Sequence, residues 1–160
     1  MKALRFSICL VVAVLALGPS ATASANDGKG HLAEASAFAS RIVRLIGQNR
    51  YAEAWTSLHP LHQEAAPLDR YVACENLTPI PGQITSVRAL RTWDASVRVA
   101  GITDPVQGTK VTLRIVIKNA AIPAKVAVVK TVGLVQVDQH WVWLLPEARY
   151  AAYLAGTCPQ

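Results

Sequence analysis

The sequence predicts an α+β fold, with helices laid on one face of an antiparallel sheet. Three observations predict it. Apolar residues recur at helical spacing up to Glu75, strand-type alternation takes over after Gly82, and Pro79, Pro81 and Gly82 punctuate the change. Helices followed by a run of strands, rather than a regular alternation of the two, is the order of a layered α+β domain.

Residues 1–25 read as a secretory signal peptide. Lys2 and Arg5 give a basic start, Ile8 to Leu17 an apolar core, and Ala23-Ser24-Ala25 a small-residue cleavage site. The core runs about a dozen residues from Phe6, short of the ~20 a membrane span needs, so no stable span is expected after cleavage. Cys9 lies inside the apolar core rather than at its small-residue end, which argues against lipid attachment. Residues 26–160 have the length of a single domain with one core. The net charge of +6 includes Lys2 and Arg5, and the other basic residues are scattered, so no nucleic-acid partner is expected. The implied location is secreted, periplasmic or cell-envelope.

An exported chain meets oxidising conditions, and its two remaining cysteines, Cys74 and Cys158, are expected to form a disulfide. Two buried thiols or a metal-binding pair are the alternatives.

After a polar lead over Asn26–Gly30, Leu32, Ala35, Phe38, Ala39, Ile42, Leu45 and Ile46 trace the apolar face of one long helix. Gly47, Gln48 and Asn49 tolerate a left-handed cap and end it. Tyr51, Trp55 and Leu58 fall on one side of a short second helix, stopped by Pro60; Leu61 to Glu75 reads as a helical turn and then a third short helix that starts near Pro67 and turns Leu68, Tyr71 and Val72 inward. The first strand, Val87–Val99, puts Val87, Ala89, Trp93, Ala95, Val97 and Val99 on an apolar face that Arg91 interrupts. Val111, Leu113, Ile115 and Ile117 mark a second strand. Lys125–Val137, apolar on both faces apart from Lys130, Thr131 and Gln136, reads as an inner strand covered on both sides. Asp138-Gln139 reads as a tight reversal into a last strand, His140–Leu145, with Trp141 and Trp143 on one face. The tail brings Tyr150, Tyr153 and Cys158 back to the helices. Such a sheet has to curve around the long helix, and a bulge at Arg91 would help it do so.

A short helix ending in W-x-x-L-H-P, carried by Tyr51, Trp55, Leu58, His59 and Pro60, is followed by a third helix and then strands that close in H-W-V-W with Trp141 and Trp143. Over about Leu32 to Pro146 this order resembles the nuclear transport factor 2-like, or SnoaL-like, superfamily. The resemblance implies a cystatin-like cone, a curved antiparallel sheet wrapped around an N-terminal helical layer, enclosing an apolar pocket. Some members of that superfamily use the pocket for isomerase, dehydratase or cyclase chemistry, and many use it for binding or assembly alone. Fold of this kind does not decide function.

Tyr51, Trp55, His59, Tyr71, Arg91, Trp93 and Trp143 are the candidate pocket residues. Arg91 is the sharpest of them, because a charge on an apolar strand face is costly unless it is paired or meets a ligand anion. The competing account is a bulge that turns it outward. His59 and Asp94 are the candidate bases for an enzyme of this type. A histidine before a proline at a helix end is as readily a cap, and alternation assigns Asp94 to solvent. His59 and His62 stand at i, i+3 without a third ligand or an HExxH pattern, so no metal is expected. There is no Gly-rich phosphate loop and no G-x-S-x-G nucleophile motif, and no cofactor is expected. The reading favoured is a non-enzymatic domain that binds a small apolar or anionic ligand or a partner. A cofactor-independent isomerase or dehydratase and a homodimeric interaction module are the alternatives.

Overall fold

The structure, a computed structural model, describes residues 25–119 and 124–160. Residues 1–24, all of the predicted signal but its last residue, and residues 120–123 of the predicted loop lie outside the described residues. Four helices come first: α1 (Ala25–Gly47), α2 (Tyr51–Trp55), α3 (Pro60–Ala65) and α4 (Leu68–Leu77). Four strands follow: β1 (Gln83–Val97), β2 (Val106–Lys118), β3 (Lys125–Val137) and β4 (His140–Trp143). Helix α5 (Glu147–Leu154) closes the chain. The strands pair in sequence order, all antiparallel, as one open sheet. The predicted α+β class is therefore the observed one. Among the described residues no helix is long and apolar enough to cross a membrane.

Helix α1 starts at Ala25, earlier than the polar lead suggested. A Cβ at Gly28 or Gly30 would meet nothing within 4 Å, and neither glycine adds to an apolar periodicity that could be read. Further on, Ala35, Ala39, Ile42 and Leu45 are buried, and Ala35 and Ala39 lie in one core cluster with Val87, Val111, Leu113 and Leu134 of the sheet. Alanines at the contact let the helix approach closely, and Gly47 extends this to the helix end, where a Cβ would collide with the Ile84 side chain. The helix stops in a Schellman motif. Asn49 takes the left-handed conformation at φ 57°, Arg50 N–H bonds the Leu45 carbonyl at 2.9 Å, and Asn49 N–H bonds that of Ile46 at 3.0 Å.

Strand β1 corrects the predicted alternation. Its pairing with β2 shifts between Ile84 and Ser86 and again between Ala89 and Arg91, so Thr85 and Leu90 are extra residues. Before Leu90, Val87 and Ala89 face the helix. Beyond it the phase is inverted: Thr92 pairs with Val111 and Asp94 with Thr109 on the helix side, and Arg91 and Trp93 point to the outer face. The apolar set Trp93, Ala95 and Val97 thus belongs to the other surface, where Val97 packs with Val135 and Val142.

Strand β3 is also corrected. Strand β4 pairs only with Leu134–Val137, which leaves Lys125–Gly133 without a described neighbour on that side. Val126, Val128 and Val129 are accordingly exposed, Val129 by 60%. The run is an edge for most of its length, and the lysines at 125 and 130 break it up as charged residues do on exposed edges.

The short helices are fastened to the other end of the sheet. Leu58 bridges Trp143, with His59 N–H to the Trp143 carbonyl at 3.0 Å and Trp143 N–H to the Ser57 carbonyl at 3.1 Å. Cys74 in α4 and Cys158 beyond α5 lie at disulfide-bonding distance, with Cα atoms 5.1 Å apart.

Three measurements check this fold. Asp138 and Gln139 both have positive φ, 50° and 65°, as a two-residue type I′ hairpin requires, yet neither is glycine. Gln139→Gly is expected to stabilise the fold by about 1 kcal/mol, read as a higher urea midpoint at unchanged slope; a lower midpoint would refute the turn assignment. Non-reducing intact mass is expected to show the loss of two hydrogens. Cys158→Ser should lower stability by up to about 4 kcal/mol, and free thiols in the untreated protein would contradict the pairing.

Candidate functional site

A cavity of about 340 Å³ remains between α1, the sheet and the short helices. Its helix wall is Ala39, Ile42, Val43 and Ile46, the helical stripe that continues past the close Ala35 contact. Its sheet wall is Ile84 on β1, Ile115 and Ile117 on β2, Val128, Lys130, Val132 and Leu134 on β3, and Trp143 on β4. The register explains this wall: Leu113 opposes Lys130, Ile115 opposes Val128 and Ile117 opposes Val126, so alternate residues of β2 and β3 share the helix-facing surface. The size and the mostly aliphatic lining suit a small-molecule site.

One end of the cavity is polar. Tyr51, Tyr71, Glu75 and Arg149 reach it from α2, α4 and α5. The Arg149 guanidinium is ion-paired with the Glu75 carboxylate, and the Tyr153 hydroxyl donates to the same Glu75 oxygen at 3.0 Å. Glu75 is 5% exposed, so this pairing is what makes its burial tolerable. Burial lowers the Arg149 pKa, but Glu75 more than offsets this and the guanidinium stays charged. Burial, reinforced by Glu75, raises the Tyr71 and Tyr153 phenols far above their ordinary range and raises Tyr51 in the same direction. All three are neutral at physiological pH. Glu75 and Arg149 cancel in charge, and the buried Nε–H of Arg149 has no hydrogen-bond partner among the described residues.

The sequence-derived candidates divide. Tyr51, Tyr71 and Trp143 line the cavity. Trp55 does not: its indole N–H bonds the Ala66 carbonyl at 2.7 Å in the core beneath α3. Arg91 and Trp93 are carried to the outer face by the Leu90 bulge, where the guanidinium lies 4.6 Å from the centre of the indole ring. His59 caps α3, its Nδ1 accepting from Leu61 N–H at 3.3 Å, and lies off the cavity. Asp94 lies off the cavity too, on the helix side of the sheet near α1's first half. There it accepts from the Thr109 hydroxyl at 2.9 Å, with His31 Nε2 3.5 Å away. Among the described residues no group of three or more His, Cys, Asp or Glu side chains is placed to hold a metal ion.

Glu75, Arg149 and Lys130 are functional candidates that sequence reasoning passed over. Lys130 alone carried a signal, as the charge inside an otherwise apolar strand. Glu75 and Arg149 carried none, because a lone acid and a lone base 74 positions apart look like ordinary surface residues. Comparison of the chain with protein-family models, with curated proteins and with solved structures finds no match.

Beside the cavity, His62 ties three segments together. It is fully buried, its Nδ1 accepts from Leu145 N–H at 2.9 Å, and its Nε2 lies 3.0 Å from the Ala100 carbonyl. A backbone N–H can only donate, so Nδ1 is bare and Nε2 carries the proton. Protonating Nδ1 would break the bond to Leu145, a residue of the cavity wall.

Burial lowers the His62 pKa, with His59 adding to the effect and the Ala100 carbonyl opposing it; burial lowers His59 as well. Between the lowered folded values and the unfolded value near 6.5 the unfolded chain binds more protons, so stability rises with pH there. The stabilisation is complete above the unfolded value and is lost as pH falls through it. The melting temperature is therefore expected to drop on going from about pH 8 to about pH 5. In His62→Gln it should be lower at pH 8, by the equivalent of about 1–3 kcal/mol, and less dependent on pH. An unchanged slope in that variant would count against His62 as the source.

Proposed function

We propose that this chain is an exported binding domain of the nuclear transport factor 2-like type that holds a small, largely apolar molecule between its helical layer and its sheet. The observation that carries this reading is the cavity of about 340 Å³ with its mostly aliphatic walls. Well-packed interiors leave few voids larger than a water molecule, and an apolar void of this size costs stability unless something fills it. Order of elements supports the family assignment, with helices first and a meandering antiparallel sheet after them. The basic, apolar and small-residue succession over residues 1–25 and the Cys74–Cys158 pair support export.

Binding without chemistry is the form of the proposal. A base working in the cavity has to reach the substrate, and His59 and Asp94 stand off it. Glu75, which does line it, is engaged by Arg149 and Tyr153.

The test uses a neutral fluorescent probe, N-phenyl-1-naphthylamine, which brightens in apolar surroundings. Saturable binding with one site per chain is expected. Val132→Trp, which places an indole in the cavity, should weaken it at least about tenfold, while Val129→Trp on the opposite face of the same strand should leave it unchanged. Absence of saturable binding, or equal binding by the two folded variants, would overturn the reading.

A further inference from the structure

We infer that the occupant of the cavity is a monoanionic amphiphile, an apolar chain with one carboxylate head, bound tail-inward with its head at Lys130. The inference rests on the reading of the cavity as a ligand site and adds the chemical class of the ligand and its orientation.

The argument is one of charge balance on the wall. Among the described residues three charged side chains line the cavity: Glu75, Arg149 and Lys130. Glu75 and Arg149 neutralise each other at the inner, polar end. A ligand carboxylate placed there would lie beside the Glu75 carboxylate and raise the cost of both charges, so that end disfavours an anion. Lys130 has no carboxylate within ion-pair distance among the described residues. It stands on the helix-facing side of β3 with Val128 and Val132 flanking it and Leu113 opposite, all apolar.

A lysine in such a setting lays its methylene stem along the apolar wall and extends its ammonium into water. Lys130 is itself exposed, as is Val128 beside it, which places this pair at the cavity mouth. An acyl chain would occupy the aliphatic interior, and its head would meet the single uncompensated positive charge where water can still solvate both. A cationic head finds no such counterpart, because the one carboxylate among the described lining residues, Glu75, is already paired with Arg149. The other exposed lysine of this strand, Lys125, pairs in register with Lys118 on the outer face and cannot substitute.

Displacement of bound N-phenyl-1-naphthylamine by decanoate, 1-decanol and decylammonium at low salt tests this. Decanoate is expected to displace the probe at about three- to fivefold lower concentration than decanol, and about tenfold lower than decylammonium, with the preference shrinking as salt is added. Lys130→Met should bring the three within about twofold of one another, and Lys130→Glu should invert the order. Lys125→Met, which removes the same charge from the outer face, should keep the wild-type order.

Equal displacement by decanoate and decanol would overturn the anionic class and leave the cavity reading intact. Loss of the preference in Lys125→Met but not in Lys130→Met would overturn the placement of the head. Probe binding that none of the three competes for would overturn the amphiphile itself. A folded protein that binds no probe removes the cavity reading beneath it.

Discussion

The packing of this molecule depends on Trp143. Its indole N–H bonds the Ala54 carbonyl at 2.7 Å, its backbone N–H and carbonyl bond Ser57 and His59, and its ring joins the clusters around α2, α4 and α1. One residue of the last strand therefore holds α2 and α4 against the sheet. The same ring is a wall of the cavity, so the element that closes the core also bounds the space left open. An aromatic residue suits both tasks, because it offers a large apolar face and, in tryptophan, a single donor that finds a buried carbonyl.

A second constraint acts from the opposite edge. The extra residue at Leu90 reverses which side of β1 faces the helix, and with it the fate of every residue beyond. Arg91 is released to the outer face, where it needs no buried partner and stacks on Trp93. Thr92 is brought to the inner face, where its hydroxyl lies 2.6 Å from that of Ser36 on α1. The bulge thus removes a charge from the core side and supplies a polar tie between helix and sheet in its place.

Within the cavity, charge is distributed unevenly. The inner end carries an acid and a base that satisfy one another, beside tyrosines that burial, reinforced by Glu75, keeps neutral, while the outer wall carries one lysine among valines. Such an interior is apolar in bulk, neutral at its base and positive at its rim. Strand β4 covers only the last part of β3, and Val128 and Lys130 stand exposed on the part it leaves uncovered.

The sequence by itself determined the succession of elements and much of the core. The stripe Ala35, Ala39, Ile42 and Leu45, the alternation of Val111, Leu113 and Ile115, the αL-tolerant Asn49 and the reversal at Asp138-Gln139 are local signals, each set by a period or by a preferred backbone conformation. Tyr51, Tyr71 and Trp143 were legible as inward aromatics for the same reason. Tertiary structure alone decided the rest. A bulge adds one residue without changing composition, so alternation could mark Arg91 as anomalous but not say which way it pointed. The exposure of Val126, Val128 and Val129 follows from how far a neighbouring strand extends, which is a property of β4 and not of β3. The Glu75–Arg149 pair joins residues far apart in the chain, and its partnership exists only once α4 and α5 are packed together. Periodicity reports on neighbours along the chain, whereas charge pairing and cavity walls depend on neighbours across it.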